Sequence, residues 1–171
     1  MTEGPRRCYS HHRKQSNKLQ VHAWAGNIGL TGEEENKVLA QLWVEALNKQ
    51  DLDKIDEVMA SDLIWHGSTS YESSVGVGFF KDRFAAFVKT FPDLHVTIRD
   101  QVASGDKVVT RYTVQATHRG AMGRIGPSGK KVEWNGINVF RVDKGKIAEE
   151  WWSEDILGLM QQIGAVPSPL W

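Results

Sequence analysis

The sequence predicts an α+β fold in which helices pack on one face of a curved, mainly antiparallel sheet around a pocket. Three observations predict it. Apolar residues recur with helical spacing as far as Pro92 and alternate with period two beyond it. Helical segments therefore come first and strands second, an order that separates the layers instead of alternating them. Finally, the run Asn135-Gly-Ile-Asn-Val-Phe-Arg-Val-Asp-Lys-Gly-Lys-Ile-Ala-Glu-Glu-Trp-Trp-Ser-Glu-Asp155 reads as a hairpin with Asn138, Glu149, Glu150, Trp151 and Trp152 in its middle. An ordinary hairpin alternates apolar and polar residues there, so this one has a wet face or lines a polar pocket.

Each element follows from local chemistry. Order is expected to begin at Thr31, where Thr31-Gly-Glu-Glu34 fits a capping box for a first helix. Val38, Leu39, Leu42, Trp43, Ala46 and Leu47 mark one face of that helix. Leu52, Ile55, Val58 and Met59 mark the inner side of a short second helix, and residues 63–66 a short strand. Residues 67–76, rich in Ser and Gly, read as a loop. Phe80, Phe84, Phe87, Val88 and Phe91 form the core stripe of a third helix, which Pro92 stops. Strands are expected over residues 95–104, 107–118, 132–142 and 147–153, with turns at Gly105-Asp106 and Asp143-Lys-Gly-Lys146. Residues 119–131 form a Gly-rich connection, a flap or an edge loop, and residues 156–163 a final short helix with Leu157 and Met160 on one face.

Residues 1–30 show no burial pattern and read as a disordered basic tail, with a transit segment or a nucleic-acid arm as weaker alternatives. Residues 1–32 hold five Lys/Arg against Glu3, which leaves 16 of 21 basic and 20 of 21 acidic residues to the remainder. A mildly acidic body argues against a nucleic-acid surface. No apolar run reaches the length of a membrane span, and no signal peptide is evident. The single cysteine, Cys8, excludes an internal disulfide and fits a reducing, cytoplasmic setting. Metal-ligand spacings, a phosphate-binding loop and a nucleophile elbow are all lacking, so no metal or other cofactor is expected.

The run Phe91-Pro-Asp-Leu-His-Val, then Gly105-Asp-Lys-Val-Val-Thr-Arg111, Ala116-Thr-His-Arg-Gly120, Gly126-Pro-Ser-Gly129 and Gly136-Ile-Asn-Val-Phe-Arg-Val-Asp-Lys-Gly-Lys-Ile-Ala-Glu149 with Trp151 resembles the SnoaL-like polyketide cyclases, an ester cyclase family. The similarity spans about residues 33–166, within a domain of residues 31–171. It implies the cone-shaped α+β fold shared with nuclear transport factor 2, ketosteroid isomerase and scytalone dehydratase. It also implies a cofactor-free aldol closure or isomerisation of a hydrophobic carbonyl compound, a lyase or isomerase chemistry. Two departures stand out. Asn138 and Trp152 occupy positions where members of the family often carry aspartate.

Aldol closure needs a base beside a carbonyl and a donor for the alkoxide that develops. Asp155 is the leading acid/base candidate, with helix N-capping as its structural alternative. Asn138 is expected to orient the carbonyl and His66 to donate a second hydrogen bond. Arg111 and Glu149 are expected to pair beside the substrate, with Trp151, Phe140 and Trp43 as apolar walls. His118 reads as a structural or rim residue. A hairpin turning at Lys144-Gly145 places Asn138 opposite Trp151 and sends Trp152 to the exterior. A homodimer through the sheet is expected from Tyr112, Val114 or Trp152 on one face. Two other function classes remain open: a hydrolase or dehydratase of the epoxide-hydrolase kind, and a non-catalytic ligand-binding or dimerisation module.

Overall fold

The computed structural model describes residues 32–67 and 73–167. The expected tail, Thr31 of the capping box and the centre of the Ser/Gly-rich loop lie outside the described residues. Four helices are described: α1 (Gly32–Lys49), α2 (Leu52–Val58), α3 (Val77–Thr90) and α4 (Ile156–Ile163). Six strands accompany them: β1 (Met59–His66), β2 (Ser73–Val75), β3 (His95–Ser104), β4 (Lys107–Thr117), β5 (Lys131–Asp143) and β6 (Lys146–Glu154). They form one sheet in the order β2-β1-β6-β5-β4-β3. Every neighbouring pair is antiparallel except β1 and β6, which run parallel. The α+β fold is therefore as expected, with one strand more than expected. The loop placed at residues 67–76 contains β2, which pairs its Ser74 with Trp65.

Local chemistry places the helices. Glu33, Glu34 and Glu35 open α1 and Lys49 closes it, each favourable to the helix dipole. Leu39, Ala40, Trp43, Val44 and Leu47 are buried along its inner stripe. Gln50 turns left-handed at φ 54°, and the Asp51 carboxylate accepts the amides of Asp53 and Lys54 to start α2. On α3, Phe80 and Phe84 face inward, and Phe87 meets Trp134 of β5 edge-on at 6.0 Å. Trp43 of α1 touches Tyr112 of β4 and Phe140 of β5 at 6.4 and 5.2 Å between ring centres. These contacts fix helices against one face of the sheet.

The inner face is set by register. β4 and β5 pair Val108 with Phe140, Thr110 with Asn138, Tyr112 with Gly136 and Val114 with Trp134, all even-numbered and all but Gly136 buried side chains of the core face. The hairpin between β5 and β6 starts as expected: Asp143 pairs with Lys146 and Val142 with Ile147 across Lys144 and Gly145, both at positive φ. It then slips. Arg141 pairs with Glu149, leaving Ala148 without an opposite, so Asn138 faces Trp152 and not Trp151. A bulge of one residue inverts the side of every later position on β6. Glu150, Trp152 and Glu154 therefore point inward, and Glu149, Trp151 and Ser153 outward.

Candidate functional site

Between the helices and the inner face lies a cavity of about 230 Å³. Trp43, Phe80, Phe84 and Phe87 of the helices wall one side, and Tyr112, Val114, Trp152 and Glu154 of the sheet the other. Trp65 and Trp152 stack at the rim, 5.8 Å apart and 28° from parallel, and Arg83 of α3 stands beside them. Met122, from the Gly-rich connection, and Ile156, at the start of α4, also line it.

Polar groups converge on this apolar space. Glu150 is only 1% exposed. Its Oε1 accepts from Asn138 Nδ2 at 2.6 Å, while its Oε2 has no hydrogen-bond partner. Burial, reinforced by the neighbouring Glu154, pushes its pKa up from 4.5 to about 8. Asn138 Oδ1 lies 2.9 Å from the Tyr112 hydroxyl, which also lies 2.8 Å from Glu154 Oε1. The indole of Trp134 donates to Glu154 Oε2 at 2.8 Å. Burial raises the Glu154 pKa too, against hydrogen bonds from Trp134, Tyr112 and Trp152 that favour its charged form. Desolvation and the Glu154 charge push the Tyr112 phenol upward as well.

Tyr112 has one proton and two acceptors, so the chain has a direction. With Glu154 protonated, its carboxyl donates to Tyr112, Tyr112 donates to Asn138, and Asn138 donates to Glu150. The two carboxyls are thus joined through Tyr112 and Asn138. Gly136 makes that chain possible: a Cβ there would collide with the Tyr112 ring, which crosses β5 at this point. Trp43, which also lines the cavity, carries a second unpartnered group, its buried Nε1 hydrogen. An acid with a free oxygen and a donor with a free hydrogen therefore share one lining.

Of the residues chosen from sequence, Trp43 lines the cavity, and Asn138 sits just behind it, fully buried and bonded to Glu150. Phe140 packs beneath Trp43 in the core without reaching the lining. The others are corrected. Asp155 is exposed and its carboxylate accepts the Gly158 amide at 2.8 Å, so it caps α4 and stands outside the cavity lining. Arg111 is exposed and pairs with Asp100 of β3, not with Glu149. Glu149, His66 and Trp151 meet on the outer face. Glu149 bridges Arg141 Nε at 2.8 Å and His66 Nε2 at 2.9 Å, which holds its carboxyl below the ordinary range. The His66 ring stacks on Trp151 at 5.0 Å and its Nδ1 meets Ser73 Oγ at 2.7 Å. Trp152, expected outside, forms part of the cavity wall, and so do Tyr112 and Val114, which removes the basis given for a dimer on that face. His118 is wholly buried against Phe91, with Nδ1 accepting the Ser128 amide.

Sequence reasoning missed Glu150, Glu154, Tyr112 and Arg83. The available signal was that acids and indoles come in adjacent pairs, Glu149-Glu150 and Trp151-Trp152, which puts one of each on either face of the strand. Among the described residues, no group of three or more His, Cys, Asp or Glu is placed to hold a metal ion. No helix among them is long and apolar enough to cross a membrane.

Solved structures share this architecture. AclR from Streptomyces galilaeus, a candidate hydroxylase, is 28% identical with a TM-score of 0.73 over 81% of this chain and 86% of its own. TsrD from Streptomyces laurentii is 26% identical, TM-score 0.69, over 76% and 95%. IdmH from Streptomyces antibioticus, a candidate polyketide cyclase, is 27% identical, TM-score 0.67, over 75% and 98%. Comparison with curated proteins finds no match. The family model of the SnoaL-like polyketide cyclases, whose fold is of the nuclear transport factor 2 type, matches residues 37–163, most of the chain, and the protein belongs to that family.

Proposed function

We infer that the protein is a cofactor-independent cyclase-type enzyme that closes or isomerises a hydrophobic aromatic carbonyl compound, with Glu150 as its acid/base. One observation carries this reading: a buried carboxyl with one unpartnered oxygen in an aromatic cavity, and a pKa raised to about 8. A carboxyl of that acidity exchanges protons with a carbon acid far better than an ordinary glutamate. The ionised Glu150 removes the proton from the carbon next to a carbonyl. Trp43 Nε1–H donates to the oxygen on which charge develops. The enolate carbon attacks a second carbonyl of the same molecule, one C–C bond forms, and the new alkoxide takes the proton back from Glu150. Nothing is gained or lost, so the product has the mass of the substrate. Asn138 holds Glu150 in position and Tyr112 holds Asn138.

The test is turnover of an aromatic β-keto ester that also carries an aryl ketone placed to close a six-membered ring with its enolisable carbon. Glu150→Gln is expected to lower kcat by roughly 10²–10⁴-fold with the circular dichroism spectrum unchanged. The wild-type rate should rise through a pH limb near 8 that the variant lacks. An unaltered rate in Glu150→Gln overturns the mechanism, and a product of changed mass points to hydrolysis or dehydration. The same reading includes a homodimer through the outer face of the sheet, where Val102, Val109 and Ile137 are exposed. A monomeric mass in sedimentation at micromolar concentration contradicts it.

A further inference from the structure

Three cations close to the sheet or on the helix above it are held by carboxylates, and Arg83, among the described residues, is not. Arg111 is paired with Asp100, Arg141 with Glu149, and Lys81, two residues earlier on α3, with Asp56. Arg83 lines the cavity and is exposed, and its one hydrogen-bond, ion-pair or ring interaction among the described residues is with the ring of Trp65, 6.0 Å from Cζ to ring centre. Trp65 and Trp152 stack beside it, and Phe79 leans on Trp65 at 5.7 Å. The mouth therefore combines a flat aromatic shelf with a guanidinium fork that no carboxylate among the described residues occupies. Such a fork binds carboxylate through two parallel hydrogen bonds.

The buried part of the cavity has the opposite character. Its polar residues include Glu150 and Glu154, which repel an anion when ionised and accept or donate hydrogen bonds when not, together with Tyr112 and Trp43. A ligand with one charged end and one neutral carbonyl end has only one favourable orientation here: charge outward, carbonyl inward. This argument deepens the reading of the cavity given above and rests on it.

We propose that Arg83 is a specificity-determining residue: it selects flat aromatic substrates bearing a carboxylate or phenolate at the end opposite the reacting carbonyl, and so fixes which end enters. The test compares two probes of equal shape, 2-naphthoate and methyl 2-naphthoate, by titration calorimetry on the full chain. The wild type should bind the acid about tenfold more tightly than the ester, the size of one exposed charge-assisted contact. Arg83→Gln should bring that ratio close to one while leaving ester affinity unchanged. Arg83→Lys should keep part of the preference, since it retains charge without the fork. Equal binding of the two probes by the wild type, a preference that survives Arg83→Gln, or no binding of either probe at millimolar concentration overturns the proposal. Glu150→Gln separates it from the catalytic reading. That variant should retain the acid-over-ester ratio even where aldol turnover proves not to be the reaction.

Discussion

Glu149 and Glu150 are adjacent in the chain and occupy opposite electrostatic worlds. Glu149 lies on the outer face between Arg141 and His66, and its acidity is strengthened. Glu150 lies on the inner face among aromatic rings, bonded through one oxygen only, and its acidity is weakened to about 8. The same side chain becomes a structural tie in one place and a candidate proton carrier in the other. Desolvation and partner charge make the difference, and the side of the strand decides which applies. The two faces can be tested against each other.

The largest effect is expected in stability against pH. Glu150 is protonated in the folded protein up to about pH 8, whereas its unfolded value is near 4.5. The unfolded state therefore holds fewer protons across that window, and stability is full below it and falls as pH rises through it. Urea denaturation should show the wild type losing on the order of 4 kcal/mol relative to Glu150→Gln between pH 4.5 and 8. Parallel curves would show that Glu150 is not desolvated. Next is Gly136→Ala, whose methyl group must displace the Tyr112 ring. It should cost about 2–3 kcal/mol and loosen the link between Glu154 and Asn138. Wild-type melting behaviour in that variant would mean the ring moves freely.

Glu149→Gln should act with the opposite sign to Glu150→Gln. A depressed carboxyl contributes stability above its unfolded pKa and loses it as pH falls through the folded one. The variant should therefore lose stability at neutral pH, lose less on acidification than the wild type, and keep turnover within about threefold, a bound well below the loss expected of an acid/base residue. Smallest of all is Arg111→Ala. Its partner Asp100 is exposed, as it is itself, and such pairs contribute at most about 1 kcal/mol. A larger loss in thermal denaturation would mean that Arg111 does more than its position shows.

These contrasts also explain what was legible beforehand. Pro92 separates two periodicities that burial physics imposes directly, so the helices and the long strands were readable. The sides of β6 were not, because period-two reasoning assumes an unbroken ladder. One unopposed residue, Ala148, exchanged the faces and carried Glu149 and Trp151 away from the site assigned to them, while Arg111 faces outward through its own pairing with Ile137. Asp155 had two readings from the start, and its bond to the Gly158 amide favours the cap. Asn138 was expected to orient a carbonyl; in the structure its amide donates to Glu150. Its cross-strand partner is Trp152, so the two departures from the family pattern are one neighbouring pair, flanked on β6 by Glu150 and Glu154.

The unopposed residue has a genetic consequence. Loss of the single codon for Ala148 would shorten the chain by one residue but keep every charge and every aromatic ring. It would also keep the faces: Ile147 already pairs with Val142 and Glu149 with Arg141, so removal of the residue between them joins the two halves of the ladder and leaves Glu150 and Trp152 toward the cavity. Deletion along this strand should therefore be mildest at this one position. A bulge is the place where a residue can leave without changing its neighbours' partners, whereas loss of a residue beyond it shifts the register of all that follow.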